Sequence, residues 1–318
     1  MKVYIVYGGP SSENSVSQQS KVLFAKLLDK YSPLLVEWKK EGTFRLDNEE
    51  LSLPNFLTRI KETQGIFINA MHGEFCEDGW IQEKLESSGI TFSGPSASAA
   101  KLSMDKIASQ KLVSDIVKTI PTMTLTVSDE GDVNAVEYDA VKNSNWKYPL
   151  FLKPNAKGSS VGVYKVKNYQ ELDELLKSLA PDKYLVQPEV CGREISIGTV
   201  CDQGKYLDLS PTEIIPNSEF FDYNAKYSAS GSQEITPARI SSELMQRVKD
   251  ASIAVHERLK LGCYSRTDMI LVGNDIYYLE TNSLPGMTEK SLLPQQLKKI
   301  NILNQFGDIL LRNLNVPL

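Results

Sequence analysis

The stretch Arg266-Thr-Asp268-Met-Ile-Leu-Val-Gly273-Asn-Asp275-Ile-Tyr-Tyr-Leu-Glu280-Thr-Asn282 constrains the fold most, because two apolar runs joined by Gly-Asn-Asp predict a β-hairpin. A three-residue loop over Gly273 to Asp275 pairs Val272 with Ile276, Asp268 with Glu280 and Arg266 with Asn282. Residues paired across an antiparallel ladder point to the same face. Arg266, Asp268, Glu280 and Asn282 then share one face, while Met269, Leu271, Tyr277 and Leu279 take the other. A two-residue loop puts Asp268 and Glu280 on opposite faces, so loop length decides whether a site exists. Facing carboxylates repel unless a cation lies between them. With an amide oxygen alongside they suit a hard cation such as Mg²⁺, or Mn²⁺, that keeps positions for water and phosphate oxygens. A solvated hairpin whose charges merely line up fits the same residues.

The length of 318 residues suggests two domains, or three small ones. A hydrophobic content of 41% with 24% charged residues is that of a globular protein with an adequate core. A net charge of −5 without any Lys/Arg block argues against nucleic acid as a partner. No apolar run is long enough to span a bilayer, and the start of the chain lacks a signal-peptide cleavage pattern. Cys76, Cys191, Cys201 and Cys263 are scattered, which predicts reduced thiols and a cytoplasmic setting. With only His72 and His256 available, imidazole-based metal chemistry is nearly excluded.

The first hundred residues alternate strand and helix signals: strands at Val3–Tyr7, Gly65–Met71 and Thr91–Ser93, helices at Val16–Leu28 and Glu77–Ser87. That is the rhythm of an open parallel sheet. A helix over Asp105–Val117 precedes Pro121, a plausible boundary. Strands then follow at Thr122–Val127, Tyr148–Lys153, Val161–Val166 and Tyr184–Gln187, with a helix at Gln170–Leu179. Beyond Gly192 come strands at Glu194–Cys201 and Tyr206–Leu209, and a polar stretch from Pro216 to Pro237 too aromatic for a disordered linker, which predicts a lid. Helices at Ser241–Leu259 and Gln305–Leu314 flank the hairpin.

Lys153-Pro-Asn-Ala-Lys157-Gly158-Ser159-Ser160-Val161-Gly162 lies between two strands; its amides can cradle phosphate, or it can be a simple turn. The Walker A spacing is absent. Gly8-Gly9-Pro10-Ser11-Ser12-Glu13 follows the first strand at its carboxyl end, where open α/β sheets place ligands. Glu13 suits an ammonium group, yet locally it reads more simply as a residue favouring a helix N-terminus. His72 is by itself more simply structural, and Cys76, with no flanking cation, an unreactive thiol. After the hairpin, the Gly286 N–H with Arg266 can stabilise an oxyanion, and Ser291 is a helix cap or a carboxylate ligand.

The order of these motifs resembles that of the D-alanine–D-alanine ligases of the ATP-grasp superfamily over essentially the full length. The resemblance rests on Gly8-Gly9 with Glu13 and Val16-Ser17, His72-Gly73 with Glu77-Asp78-Gly79, and Met104-Asp105-Lys106. It continues through Lys153-Pro154 with Gly158 to Gly162, Phe221-Asp-Tyr-Asn-Ala-Lys226-Tyr227, Arg266-Thr-Asp268, and Glu280-Thr-Asn282 through Pro285-Gly-Met-Thr288 to Ser291-Leu292. It implies an α/β, three-domain ATP-grasp architecture with an N-terminal open parallel sheet and two α+β domains enclosing the nucleotide. Residues 1–104 would bind substrate, 105–190 form the central domain, and 191–318 the C-terminal domain with an ω-loop lid over 216–237.

The implied reaction is ATP-dependent ligation of two D-alanines through an acyl phosphate, for peptidoglycan precursors, by a homodimer. By the same resemblance Glu13 holds the first D-alanine's ammonium with His72 nearby, and Ser159 and Tyr227 link to Glu13. Lys106, Lys153 and Lys226, with Ser160, contact ATP phosphates; Gln187, Pro188 and Val190 hold adenine and Glu194 the ribose. Asp268, Glu280 and Asn282 hold Mg²⁺, Arg266 and Gly286 the oxyanion, and Ser291 with the Leu292 N–H the second substrate's carboxylate. Two positions depart from the family. Gln187-Pro188 replaces Glu-Lys in the hinge, which predicts weaker or less selective nucleotide binding. Cys76 replaces a glycine, and strains the loop if that position needs positive φ. Tyr227 favours a dipeptide over a depsipeptide product. D-lactate or D-serine as second substrate, or a sensor without turnover, are the alternatives; a dinucleotide oxidoreductase fails for want of G-x-G-x-x-G.

Overall fold

The computed structural model describes residues 2–158, 161–216 and 232–315. The first sheet contains β1 (Val3–Gly8), β2 (Leu34–Trp38), β3 (Phe44–Leu46), β4 (Glu49–Leu51), β5 (Ile66–Asn69) and β6 (Thr91–Phe92), in the order β4-β3-β2-β1-β5-β6. β1 runs parallel to β2 and β5, and β5 parallel to β6, as the alternating pattern predicts. β3 and β4 add an antiparallel edge that the pattern did not signal. β1 is apolar on both faces because both are covered: Tyr4 and Val6 pack with Phe44, Phe56 and Phe67, while Val3 and Ile5 pack with Phe24 of α1 (Asn14–Leu27). Ser17 of α1 accepts the Gly8 N–H at 2.8 Å and donates to the Ala70 carbonyl at 2.9 Å. That pair ties the carboxyl ends of β1 and β5 to the helix, which fixes both ligand-facing loops.

The helices α2 (Leu53–Glu62), α3 (Trp80–Ser87) and α4 (Ala97–Met104) complete this region. α5 (Lys106–Val113) follows, capped by Asp105, whose carboxylate accepts the Ala108 N–H. β7 (Lys118–Thr119) then joins a distant sheet. A second, antiparallel sheet holds β8 (Met123–Val127), β9 (Leu150–Pro154), β10 (Tyr164–Val166) and β11 (Asp182–Pro188), in the order β10-β9-β11-β8. With α6 (Ala135–Lys142) and α7 (Tyr169–Leu176) it closes its own core around Leu125, Leu152, Leu172 and Val186.

The third sheet runs β15-β14-β12-β16-β17-β7, from β12 (Arg193–Asp202), β14 (Thr212–Pro216), β15 (Ser232–Ile235), β16 (Tyr264–Val272) and β17 (Asp275–Asn282), with β13 (Lys205–Tyr206) paired to β12 alone. The predicted strand at Tyr206–Leu209 is thus confined to Lys205–Tyr206. The expected lid falls largely on 217–231, outside the described residues, but its flank Ser232–Ile235 is a strand paired with β14 rather than loop. α8 (Ser242–Leu259), capped by Ser241, lays Leu244, Val248 and Val255 on Met269 and Tyr278. α9 (Leu292–Lys299) and α10 (Phe306–Asn313) instead pack Leu297, Phe306 and Leu310 against Ile5, Phe24 and Ile68, so the first and third sheets share one core. Among the described residues no helix is long and apolar enough to cross a membrane.

Candidate active site

The hairpin forms, but not by the predicted loop. Val272 pairs with Asp275 across a two-residue turn, Gly273-Asn274, with Gly273 at φ 59°, in the left-handed region that glycine favours at this position. A bulge then intervenes: Met269 pairs with Tyr278, yet Asp268 pairs with Glu280, leaving Leu279 as the extra residue. The bulge adds back the residue that the short turn removes, so Asp268 still faces Glu280 and Arg266 still faces Asn282. The rule that a two-residue loop destroys the site is therefore wrong here. The apolar face is corrected too. Ile276 and Tyr278, not Tyr277 and Leu279, join Met269 and Leu271 in the core, and Leu279 turns to the cleft beside Glu280.

The charged face is balanced residue by residue. Arg266 donates to both Asp268 oxygens, at 3.0 and 2.8 Å, and Ser196 of β12 donates to the same carboxylate at 2.5 Å. The Asn282 amide lies 3.2 Å from Asp268 Oδ2. The Lys106 ammonium, at the first turn of α5, sits 3.6 Å from Glu280 and donates to the Lys157 carbonyl at 2.6 Å. Lys106 thus joins the phosphate-type loop to the hairpin. Two carboxylates and one amide on a single sheet face, buried at Asp268 and opening to a cleft at Glu280, offer the oxygen donors that a hard divalent cation takes. The donor set fits Mg²⁺.

That cleft, about 570 Å³, lies between the second and third sheets, within the size range of small-molecule sites. Lys106, Lys153, Gln187, Pro188, Val190, Glu194 and Glu280 all line it, so most of the residues expected to hold a nucleotide converge on one cavity. Phe151, Val163, Ile215, Ile270 and Leu279 supply apolar walls that the motifs did not point to. Glu213 and Arg239 close one side as a two-pronged ion pair, 2.8 and 3.1 Å, and Arg239 holds the Glu213 carboxyl below its usual range. Only the pairing of β12 with both β14 and β16 brings these residues, and Ser196, to the site. Gln187 turns its amide nitrogen inward, donating to Thr122 at 2.7 Å and reaching Gln110 at 3.4 Å. Ser159, Ser160, Lys226 and Tyr227 lie outside the described residues.

In the amino-terminal loops, Glu13 begins α1 but makes no capping hydrogen bond with its side chain. Its buried carboxylate instead reaches across two loops. A Cβ on Gly73 would lie 2.8 Å from Glu13 Oε2, and one on Gly158 3.7 Å from it. Gly73, at φ 79°, is needed there, since that Cβ would also sit 2.2 Å from Ser11 Oγ. Glu13 thus begins α1, as the local reading has it, and also lies between the loops of Gly73 and Gly158. His72 is buried, with Nδ1 3.0 Å from Glu77 and Nε2 2.8 Å from Ser20. Burial alone would depress this imidazole, but the hydrogen bond and charge of Glu77, with the charge of Glu13, raise it above its ordinary value. Burial raises the Glu77 carboxyl more than His72 lowers it.

The expected strain at Cys76 is absent: the left-handed residue of this loop is Phe75, at φ 66°, and Cys76 is fully buried with its thiol pushed well up by burial. At the other end, Ser291 occupies the position before α9, yet its hydroxyl contacts Thr288 at 2.8 Å rather than capping the helix. Gly286 sits over it, 2.9 Å from Ser291 Oγ at the position of a Cβ. Leu292 is the first residue of α9, so its N–H has no partner one turn back within the helix.

Residues 115–308 match the family model described as D-ala D-ala ligase C-terminus. A D-alanine–D-alanine ligase of Leptospira interrogans is 36% identical over 95% of this chain and 94% of that protein. One of Flavobacterium johnsoniae is 35% identical over 94% of each. The crystal structure of the D-alanine–D-alanine ligase from Bacillus anthracis matches with a TM-score of 0.76 and 31% identity, covering 99% of this chain and 97% of that one. The VanG D-Ala:D-Ser ligase from Enterococcus faecalis matches with a TM-score of 0.81 and 26% identity, over 98% and 99%. The chain thus has an ATP-grasp fold and belongs to the D-alanine–D-alanine ligase family.

Proposed function

We propose that this protein joins two molecules of D-alanine, converting ATP to ADP and phosphate. The observation that carries the proposal is the face shared by Arg266, Asp268, Glu280 and Asn282, opening into the cleft that Lys106 and Lys153 also line. Glu13, whose carboxylate lies near Gly73 and Gly158, would hold the ammonium of the first D-alanine beside His72. Lys106 and Lys153 neutralise phosphate oxygens as the first carboxylate attacks the γ-phosphorus and ADP departs, leaving an acyl phosphate. The Leu292 N–H at the start of α9, with Ser291, receives the second carboxylate. The amine of that second D-alanine attacks the acyl carbon. Arg266 and the Gly286 N–H stabilise the tetrahedral oxyanion, and inorganic phosphate leaves as the peptide bond forms. Asp268, Glu280 and Asn282 would hold Mg²⁺, which when bound neutralises charge on the transferring phosphoryl group. Gln187, Pro188 and Val190 would take adenine and Glu194 the ribose. A homodimeric, cytoplasmic enzyme feeding peptidoglycan synthesis belongs to the same proposal.

The test is ADP release from Mg²⁺-ATP with D-alanine, the product identified by mass, for wild type and Glu280→Ala. Dipeptide from wild type alone is the expected result. Nucleotide binding without turnover, with D-serine and D-lactate also inert, overturns the proposal. The structural likeness to a D-Ala:D-Ser ligase makes D-serine the first competitor to include.

A further inference from the structure

A polar chain runs through the buried seam between the first sheet and the loop that follows β17. Glu77 Oε1 lies 3.0 Å from His72 Nδ1, His72 Nε2 lies 2.8 Å from Ser20 Oγ, and the Met287 N–H donates to the same Ser20 oxygen at 3.2 Å. Ser20 and Met287 are fully buried and His72 nearly so. Ser20 belongs to α1, His72 to the loop after β5, and Met287 to the segment after β17, so a single hydroxyl joins three parts of the chain.

The protons on this chain can be placed. The Met287 amide is always a donor, so it occupies one lone pair of Ser20 Oγ. The Glu77 carboxylate accepts from Nδ1–H. In the neutral ring Nε2 then accepts the Ser20 hydroxyl proton; in the imidazolium Nε2–H donates to the second lone pair and the hydroxyl turns away. Ser20 keeps hold of the Met287 N–H in both cases. Only a hydroxyl, at once donor and double acceptor, does this in so small a space.

We propose that Ser20 is a positioning residue for ligation, holding His72 and the 284–288 loop at one spacing across this seam. The inference rests on the ligase reading, which places His72 beside the first D-alanine and the Gly286 N–H against the oxyanion. Gly286 directly precedes Met287, so tethering the Met287 amide fixes the peptide plane that follows Gly286. Loss of the Ser20 tether leaves the imidazole held to that loop by the Leu284 backbone, and loosens its spacing from the oxyanion donor. The groups facing His72 are Glu77 from its own loop, Glu13 from the start of α1, Ser20 from within α1 and the Leu284 backbone. Ser20 bridges the His72 imidazole and the Met287 amide, and the Leu284 backbone also hydrogen-bonds the imidazole from the far side of the seam.

The experiment combines kinetics with ¹⁵N-imidazole NMR, which is simple because the chain has two histidines. His256 Nε2 faces the Gly262 carbonyl at 3.0 Å and its Nδ1 faces Ser265 Oγ, so in its neutral form it carries the proton on Nε2. His72 is expected as the opposite tautomer, protonated on Nδ1. Ser20→Ala is expected to mix the His72 tautomers and lower kcat about ten- to a hundredfold, with KM for ATP within about twofold. Ser20→Thr, which keeps the hydroxyl, is expected to restore most of kcat. Three results overturn the inference: a neutral His72 protonated on Nε2 in wild type, Ser20→Ala with unchanged kcat and His72 signals but a lower Tm, or Ser20→Thr as impaired as Ser20→Ala although folded. If Ser20→Ala does not fold, the wild-type tautomer and Ser20→Thr still decide. A wild-type protein that makes no dipeptide defeats the ligase reading instead, and is recognised before any variant is compared.

Discussion

At one end of the molecule, Ile5, Phe24 and Ile68 of the first sheet and its helix pack directly with Leu284, Met287, Leu297 and Phe306 from the far end of the chain. At the other end, the second sheet keeps a core of its own around Leu125, Leu152 and Val186. It meets its neighbours through polar contacts: Lys106 on the Lys157 carbonyl, the Ile107 N–H on Asn155, and Gln187 on Gln110 and Thr122. A shared apolar core resists splitting because every separated side chain returns to water. Polar contacts exchange with water at little net cost. The difference implies one fixed end, formed by the first and third sheets, and a second sheet that is the piece able to adjust.

Both ends lean on the β16–β17 hairpin, so the largest effects are expected there. Deleting Thr281 moves Asn282 to the core face opposite Thr267, and ligation should fall about a thousandfold or more. Deleting Leu279 removes the bulge yet leaves Asp268 opposite Glu280 in a regular ladder. It should cost only the apolar contact with the nucleotide, about tenfold in KM for ATP. Steady-state kinetics on the two deletions checks this pair. Equal inactivation would show that the bulge itself orients Glu280.

The two cores give the next effect. Leu297→Ala and Leu152→Ala each empty a fully buried position and should cost about 2–5 kcal/mol. Leu297→Ala should lower the unfolding of the first and third sheets together, whereas Leu152→Ala should lower protection of β8–β11 alone. Hydrogen exchange read by segment separates these outcomes. A single common loss of protection in both variants would erase the contrast between the ends.

The histidines sharpen it on the pH axis. Burial lowers His256, so the unfolded chain takes up its proton first as pH drops below 6.5, and stability is lost from there down to the folded value. His72 is raised despite its burial, so its contribution is fully present below 6.5 and is lost as pH rises through the folded value. His256→Gln should therefore flatten the acid side of a Tm–pH curve, and His72→Gln should steepen it. The smallest expected effect is at the hinge. Gln187→Glu should raise the preference for ATP over GTP several-fold, measured as a ratio of kcat/KM; an unchanged ratio would remove Gln187 from base selection.

Much of this was legible from local pattern. Parallel strands announced themselves as apolar runs at Val3–Gly8 and Ile66–Asn69, and the helices now labelled α5 and α8 were legible at Asp105–Val117 and Ser241–Leu259. The order of the charged motifs led to the ligase family, and the pairing of Asp268 with Glu280 survived. What failed was decided at a distance. A three-residue turn without a bulge and a two-residue turn with one give the same pairing at Asp268, and nothing local separates them. The choice fell to whichever tyrosine could lie under α8, and Tyr278 did. Glu13 read locally as a helix-starting residue and does begin α1, but the loops of Gly73 and Gly158 beside its carboxylate arrive from 60 and more residues away. Ser196, Glu213 and Ser20 carry no motif, and each enters the site only because a strand or helix packs beside another. The sequence by itself determined which chemical groups are present and which faces of each element are apolar, since periodicity and caps act within a few residues. Tertiary structure alone decided the turn and bulge, the sharing of one core by the two ends of the chain, and the polar partners of the catalytic side chains, because those follow from close packing between segments that no local pattern relates.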